Sequence, residues 1–188
     1  ATLGGSFELL GKLFLDAASV IIDGGIDTSA NKGSQTLSAT HELQIKIGSE
    51  LSAGTGTISL SAGMLIDTGG ANLRSENITI ADSDAVILGS LTTTGMLRLT
   101  DVGIVTQQST TGITAKELVI NSGGEVELGN TENDFDELTI ASGGAVVVND
   151  GVGDLCVINI DSMGSDVTLS TAGSMLLATH AITAVGAN

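Results

Sequence analysis

The sequence predicts an all-β protein folded as a right-handed parallel β-helix (β-solenoid) with coils of about 20 residues. Three observations predict this class. Apolar and polar residues alternate in short runs, the runs recur at a nearly constant interval, and glycine-rich segments separate them. Alternation by two is typical of a strand with one buried face. A fixed interval places each strand over its equivalent in the preceding coil.

The first recurring run reads apolar, any residue, apolar. Its copies are Ile58-Ser59-Leu60, Ile78-Thr79-Ile80, Leu97-Arg98-Leu99, Leu118-Val119-Ile120, Leu138-Thr139-Ile140 and Ile158-Asn159-Ile160. Their first residues are separated by 20, 19, 21, 20 and 20 residues. We expect the apolar members to form one buried column, with the middle residues facing outward.

A second run follows in each coil. It reads Val126-Glu127-Leu128, Val146-Val147-Val148 and Val167-Thr168-Leu169, with weaker copies at residues 65–66, 86–88 and 104–105. The remainder of each coil, such as residues 130–135, returns the chain to the next first strand. The sequence therefore predicts three parallel sheets around one aliphatic core.

Glycines mark both corners of the coil. The first corner carries Gly63, Gly103, Gly124, Gly144 and Gly164, with Asp84 in the equivalent place of its coil. The second corner carries Gly69, Gly89, Gly129, Gly151 and Gly173. Because glycine, and to a lesser degree aspartate, tolerates positive φ, we expect the first corner to require that conformation.

The domain organisation follows from the repeat. Residues 1–188 are expected to form a single β-solenoid domain, with irregular first coils over 1–55 and regular repeats over 56–180. Polar residues 26–41 suggest a loop inserted between coils, and a capping helix over 7–18 is an alternative to strands there. Residues 181–188 resemble a strand passing into a tail. Neither end carries a polar cap, so we expect an excerpt of a longer chain.

Composition limits the function classes. The chain has 26 Gly and three Phe but no Pro, Trp or Tyr, so Val, Ile, Leu and Ala must supply its core. Its net charge of −16, from 22 acidic and six basic side chains, disfavours nucleic-acid and anionic-membrane partners. No apolar run approaches the roughly 18 residues of a membrane span, so membrane insertion is not expected.

The sequence predicts no catalytic residue. The two histidines, His41 and His180, lie in polar and near-terminal contexts, and no spacing supports a Ser-His-Asp arrangement. Enzymes that degrade acidic polysaccharides on this fold need clustered basic residues, whereas the six Lys and Arg here are scattered. We expect a protein that is not an enzyme.

Calcium is the one ligand that the acidic loops suggest. Asp134 and Asp154 are 20 residues apart and could stack in one column, while Asp136 and Asp150 add further oxygen ligands of the type Ca²⁺ prefers. The glycine-rich G-G-x-G-x-D repeat of calcium-binding solenoids does not recur here. We therefore predict solvated acidic loops without a metal or cofactor, with Ca²⁺ at these four aspartates as the alternative.

An ice-binding threonine array is not expected either. The outward positions of the first column are Ser59, Thr79, Arg98, Val119, Thr139 and Asn159. Arg98 interrupts any flat hydroxyl surface along this row.

One segment resembles a known family. Gly129-Asn130-Thr131-Glu132-Asn133-Asp134-Phe135, followed by Leu138-Thr139-Ile140-Ala141-Ser142-Gly143-Gly144, is similar to the repeats of filamentous-haemagglutinin-like adhesins, the large exoproteins of two-partner secretion systems. The resemblance covers about residues 55–180. It implies a right-handed parallel β-helix, secretion across the outer membrane and a role in adhesion or aggregation, and it concerns the shaft rather than an export module.

These observations together predict a structural shaft segment of a large secreted bacterial surface protein, located extracellularly or on the cell surface. Its expected partners are other copies or further repeats, joined end to end, and glycans of a host or neighbouring cell. The alternative is a calcium- or carbohydrate-binding module on the same solenoid.

Overall fold

The computed structural model describes residues 1–163, 165–179 and 182–184 of the 188. Over these residues it contains eighteen strands and one 3₁₀ turn, Ser29–Asn31. The strands are β1 Thr2–Gly4, β2 Phe7–Glu8, β3 Leu13–Asp23, β4 Gly25–Asp27, β5 Gln35–Ile45, β6 Glu50–Ala62, β7 Leu65–Asp67, β8 Asn72–Leu88, β9 Ser90–Thr93, β10 Met96–Gln107, β11 Ile113–Ser122, β12 Val126–Leu128, β13 Asp134–Ser142, β14 Val146–Asp150, β15 Leu155–Ser162, β16 Val167–Thr171, β17 Met175–Leu177 and β18 Ile182–Ala184. None of the helices described could cross a membrane, since none is long and apolar enough.

Every pairing recorded between these strands is parallel and joins equivalent segments of successive coils. The longer strands, such as β8 and β10, bend around corners and so contribute to more than one side of the coil. About nine coils of roughly 20 residues stack in this way. This confirms the predicted parallel β-solenoid.

The first face is built on the first recurring run. Ile78 pairs with Leu97, Leu97 with Leu118, and Leu118 with Leu138, and all four side chains are fully buried. The middle residues, such as Thr79 and Thr139, point outward, as alternation by two requires. Stacked equivalents therefore share a single aliphatic column, as the spacing predicts.

Ile158 is a correction to that column. Leu138 pairs with Val157 and Thr139 with Asn159, so Ile158 is an extra residue at a bulge in β15. Val157 is fully buried, whereas Ile158 is 43% exposed. The cause is the preceding corner, which has four residues, 151–154, where the coil before it has five, 129–133. The bulge restores the residue that the shorter corner lacks.

The second face carries the second recurring run. Val105 pairs with Val126, Val126 with Val146, and Val146 with Val167. The first three are buried, and the outward residue Glu127 stands between Thr106 and Val147. The third face is formed by the return segments, which are strands rather than loops in most coils, as at Leu73, Leu91 and Ile113.

The glycine corners require a different explanation from the one predicted. Among Gly63, Gly103, Gly124 and Gly144 none has positive φ, nor does Asp84, while Gly164 lies outside the described residues. A Cβ placed on Gly103 would instead lie 1.9 Å from the carbonyl oxygen of Asp84 in the coil below. These positions exclude side chains because stacked corners bring the two backbones together.

The first coils are more regular than predicted. Residues 35–41, expected in an inserted loop, belong to β5, in which Leu15 pairs with Leu37 and Leu37 with Leu60. Residues 7–18 contain strands β2 and β3 rather than a capping helix. The coils here are longer, since these steps are 22 and 23 residues, and the additional residues lie at the corners.

Candidate functional site

The four aspartates proposed as calcium ligands do not share one environment. Asp150 is fully buried, Asp134 is half-buried, and Asp136 and Asp154 are exposed. Oδ1 of Asp154 accepts the backbone N–H of Ser174 at 2.6 Å, so this carboxylate serves a local turn. Among the residues that the structure describes, no three His, Cys, Asp or Glu side chains are grouped closely enough to hold a metal ion.

The predicted stacking of Asp134 over Asp154 does not occur. Glu137 pairs with Cys156, a separation of 19 residues, so the ladder near this corner is one residue short of the 20 that stacking requires. Asp134 is instead close to Gly153, where an added Cβ would lie 3.5 Å from its Oδ1 atom.

Asp150 is held at the corner between the second and third faces. Its Oδ1 atom accepts the backbone N–H of Phe135 at 3.0 Å, and its Oδ2 atom accepts the hydroxyl of Thr171 at 3.0 Å. The carboxyl group therefore links the coil below to the coil above.

Burial in a medium of low polarity raises the pKa of Asp150, and the neighbouring carboxylates Asp134 and Asp136 act in the same direction. The hydrogen bonds from Phe135 and Thr171 favour the ionised form and oppose this rise. Burial is the larger effect. The group is thus a structural carboxyl that favours protonation more than an exposed aspartate does.

Asn133 occupies the same corner one coil earlier. It is fully buried, and its Oδ1 atom accepts the backbone N–H of Ile113 at 3.0 Å and Nε2 of Gln107 at 2.7 Å. Its Nδ2 atom donates to the carbonyl groups of Leu128 and Asn149. One amide thereby satisfies backbone groups in three successive coils, which a buried corner needs.

The sequence analysis did not identify Asn133 and Asp150 as corner residues. The available signal was their position, since each follows the apolar member of a second-face strand and precedes an apolar third-face residue, Phe135 or Leu155. A polar residue at an otherwise inward position is an indication of a satisfied corner rather than of a ligand.

A serine ladder performs the same task at the first corner. Ser122 pairs with Ser142, and Ser142 with Ser162, and all three are buried. The Ser142 hydroxyl accepts the N–H of Gly144 at 3.1 Å and donates to the carbonyl of Gly124 at 2.6 Å. The recurring Ser-Gly-Gly text at 122–124 and 142–144 is the sequence signal for this arrangement.

An acidic groove runs outside this serine ladder. It has a volume of about 550 Å³ and is lined by backbone of the glycine corner together with Asp82, Asp84, Asp101 and Asp161. Asp82 and Asp101 have φ of 57° and 53°, which turns these two stacked corners in the same way. The carboxylates are spread over several coils along the groove and face solvent.

The remaining predicted positions do not assemble a catalytic centre. His41 is exposed, with its Nδ1 atom 3.2 Å from the hydroxyl oxygen of its chain neighbour Thr40. His180 lies outside the described residues. The outward row Ser59, Thr79, Arg98, Val119 is paired as predicted, and Nε of Arg98 donates to Thr100 within that face.

Comparison with known proteins gives one match. A family model described as repeats of unknown function (DUF5649) matches residues 75–142, somewhat more than a third of the chain. No curated protein and no solved structure matches the chain. The matched residues span the regular coils from β8 to β13, which agrees with a repeat protein on a β-solenoid.

Proposed function

We propose that this chain is a structural shaft segment of a large secreted bacterial surface protein. The observation that carries the proposal is the uninterrupted ladder of equivalent residues, which runs from Leu15 through Leu37, Leu60 and Ile80 to Ile160. Such a ladder makes an extended rod of defined length, about 4.8 Å for each coil.

The distribution of buried polar groups supports a load-bearing role. Asn133, Asp150 and the serine ladder use their side chains to satisfy the corners of adjacent coils. Most buried polar chemistry in this region therefore holds coils together. A shaft needs this property because a single coil buries too few side chains to be stable alone.

The secreted location and the bacterial surface rest on the resemblance of residues 129–144 to filamentous-haemagglutinin-like repeats. A net charge of −16 on a rod of this size keeps its aliphatic core soluble and its surface hydrated outside the cell. Adhesion, aggregation or filament formation would then arise from the whole protein, with further repeats or other copies joined end to end.

Immunogold electron microscopy on the producing cell tests the proposal. Antibodies raised against the folded 188-residue chain are expected to label unpermeabilised cells, with gold particles on extended structures at the surface. Labelling that appears only after permeabilisation would contradict the proposed location. A permeabilised sample stained for a cytoplasmic protein serves as the control.

A further inference from the structure

One coil has a much shorter corner than its neighbours. Between β8 and β9 the second corner is the single residue Gly89, whereas the corners before and after it contain residues 68–71 and 108–112. A Cβ on Gly89 would lie 2.1 Å from the carbonyl oxygen of Thr68, so the corner is packed directly onto the coil below. The chain is therefore recessed at this level of the rod.

The recess opens onto the third face as a polar groove of about 630 Å³. Its floor consists of outward side chains in register over three coils: Asn72 beside Ser90, and Arg74 beside Thr92 and Thr114. We call this floor the Arg74 recess. Stacked strands are about 4.8 Å apart, and alternate residues along a strand about 6.7 Å, so the floor is a regular grid of polar groups.

Projecting corner loops form one wall of the recess. Thr110 lies in the 108–112 corner, and Thr131 and Glu132 lie in the corner of the next coil. Thr110 has a φ of 66°, a conformation that a β-branched residue rarely adopts. Backbone strain of this kind is stored where the position of a side chain matters.

The polar groups of the recess are free to bind. The hydroxyl groups of Ser90, Thr92 and Thr114 make no hydrogen bond to other residues that the structure describes, and all three side chains are at least partly exposed. Arg74 is 66% exposed and reaches Glu50 at 3.9 Å, which is a weak surface pair. The floor thus presents guanidinium donors, an amide and hydroxyl groups that both donate and accept.

We infer that the Arg74 recess is a binding site for a neutral oligosaccharide. Each ring of such a ligand carries hydroxyl groups that donate and accept, which matches a grid of hydroxyl, amide and guanidinium groups with Glu132 as an acceptor on the wall. This inference is independent of the proposed shaft role, since it depends only on the local geometry of β8, β9 and β11.

Other ligand classes fit the recess less well. An anionic ligand would meet one arginine on a chain with net charge −16. An extended peptide could not add to the sheet here, because β9 is already paired on both sides, with β8 and β11. An apolar ligand would find almost only polar side chains.

The recess contains no aromatic side chain on which a sugar could stack, since the chain has no Trp or Tyr and three Phe that are elsewhere. Stacking would add to hydrogen bonding in strength. We therefore expect a Kd of about 1 mM for one site. Affinity of this size is suited to repeated, multivalent contact.

Chemical-shift titration of the ¹⁵N-labelled full chain tests the inference, with cellotetraose, maltotetraose and chitotetraose as probes. At least one probe is expected to shift amide signals of residues 90–92, 110–114 and 131–132. Arg74→Gln should weaken that binding at least about fivefold. Arg98→Gln removes the same charge from the first face and should leave binding unchanged.

Thr92→Val provides a second variant, because it removes one hydroxyl group from the floor while preserving side-chain shape. It too should weaken binding, with an unchanged circular dichroism spectrum. The inference is overturned if none of the three probes shifts these amides, if the shifts map to another face, or if both recess variants bind as the wild type does.

Discussion

The backbone N–H of Phe135 donates a 3.0 Å hydrogen bond to the carboxylate of Asp150, and both residues are fully buried. They belong to successive coils, so this bond joins two layers of the solenoid at a corner. Asn133 makes the corresponding bond to Ile113 one coil earlier. The same corner is therefore satisfied by a neutral amide in one coil and by an ionisable acid in the next.

The first prediction concerns Asp150→Asn. Burial raises the pKa of Asp150, so its folded-state pKa is above the unfolded value, near 3.8. The stability that this group contributes is fully present below that value and is lost as the pH rises through the folded-state pKa. Asp150→Asn removes a buried charge, so its Tm should exceed that of the wild type at pH 7 and approach it at about pH 3.

Asp27→Asn is a control of opposite sign. Hydrogen bonds from the side chain and backbone of Ser29 lower the pKa of Asp27. Its contribution to stability is present above the unfolded value and is lost as the pH falls through the folded-state pKa. Asp27→Asn should therefore be less stable than the wild type at pH 7. Thermal melts of both variants from pH 3 to pH 7 check the two signs together, and equal slopes would contradict the assignment.

The second prediction concerns the faces of β13. Ile140 is fully buried in the first-face column, whereas Thr139 points outward. Ile140→Asp places a charge in the core and should cost roughly 3–5 kcal/mol of unfolding free energy, with several coils lost together. Thr139→Asp should change it by less than about 0.5 kcal/mol. Urea unfolding monitored by circular dichroism measures both, and a reversed order would mean that the faces are exchanged.

The third prediction concerns the bulge in β15. Val157 is fully buried and Ile158 is 43% exposed, although alternation in the sequence favours Ile158 as the inward residue. Val157→Asp should therefore be strongly destabilising, by roughly 3 kcal/mol or more, while Ile158→Asp is tolerated. Thermal denaturation of this adjacent pair is decisive, because a register without the bulge requires the opposite result.

The fourth prediction concerns the glycine corners. A Cβ on Gly103 would lie 1.9 Å from the carbonyl oxygen of Asp84, whereas a Cβ on Gly129 would meet no atom within 4 Å. Gly103→Ala must push two coils apart and should cost roughly 2–4 kcal/mol. Gly129→Ala should be neutral or slightly stabilising. Denaturant midpoints for the two variants check this difference, which would disappear if φ alone explained the glycines.

The fifth prediction tests the independence of coils. Leu118 pairs with Leu138, so deletion of residues 118–137 removes one coil and joins segments that remain in register. The shortened chain should fold cooperatively as a rod about 5 Å shorter. Deletion of residues 118–127 removes half a coil and should abolish the folded state. Small-angle scattering and circular dichroism distinguish these outcomes.

Much of the architecture could be predicted because it depends on local alternation and on the interval between strands. Leu97, Leu118 and Leu138 stack as the spacing requires. The interval alone did not predict β5, because residues 35–41 are polar apart from Leu37 and Ala39 and their coil is longer than average. Pairing with β3 and β6 on either side makes this segment a strand despite its composition.

The candidate ligand residues were less predictable than the core. Equal spacing suggested that Asp134 and Asp154 stack, but a corner one residue shorter shifts the register between them. The recess at Gly89 was equally hidden, since it arises from the difference between one corner and its neighbours. A sequence interval gives the length of a coil and not the distribution of its residues between strands and corners.

The sequence by itself determined the fold class, the coil length and most of the inward columns, because the hydrophobic effect acts on each strand through its own alternation. Only the tertiary structure decided which backbone atoms meet at the corners. It made Gly103 sterically necessary, buried Asn133 and Asp150, and exposed Ile158. These properties depend on contacts between residues about twenty positions apart, and such contacts exist only after the coils have stacked.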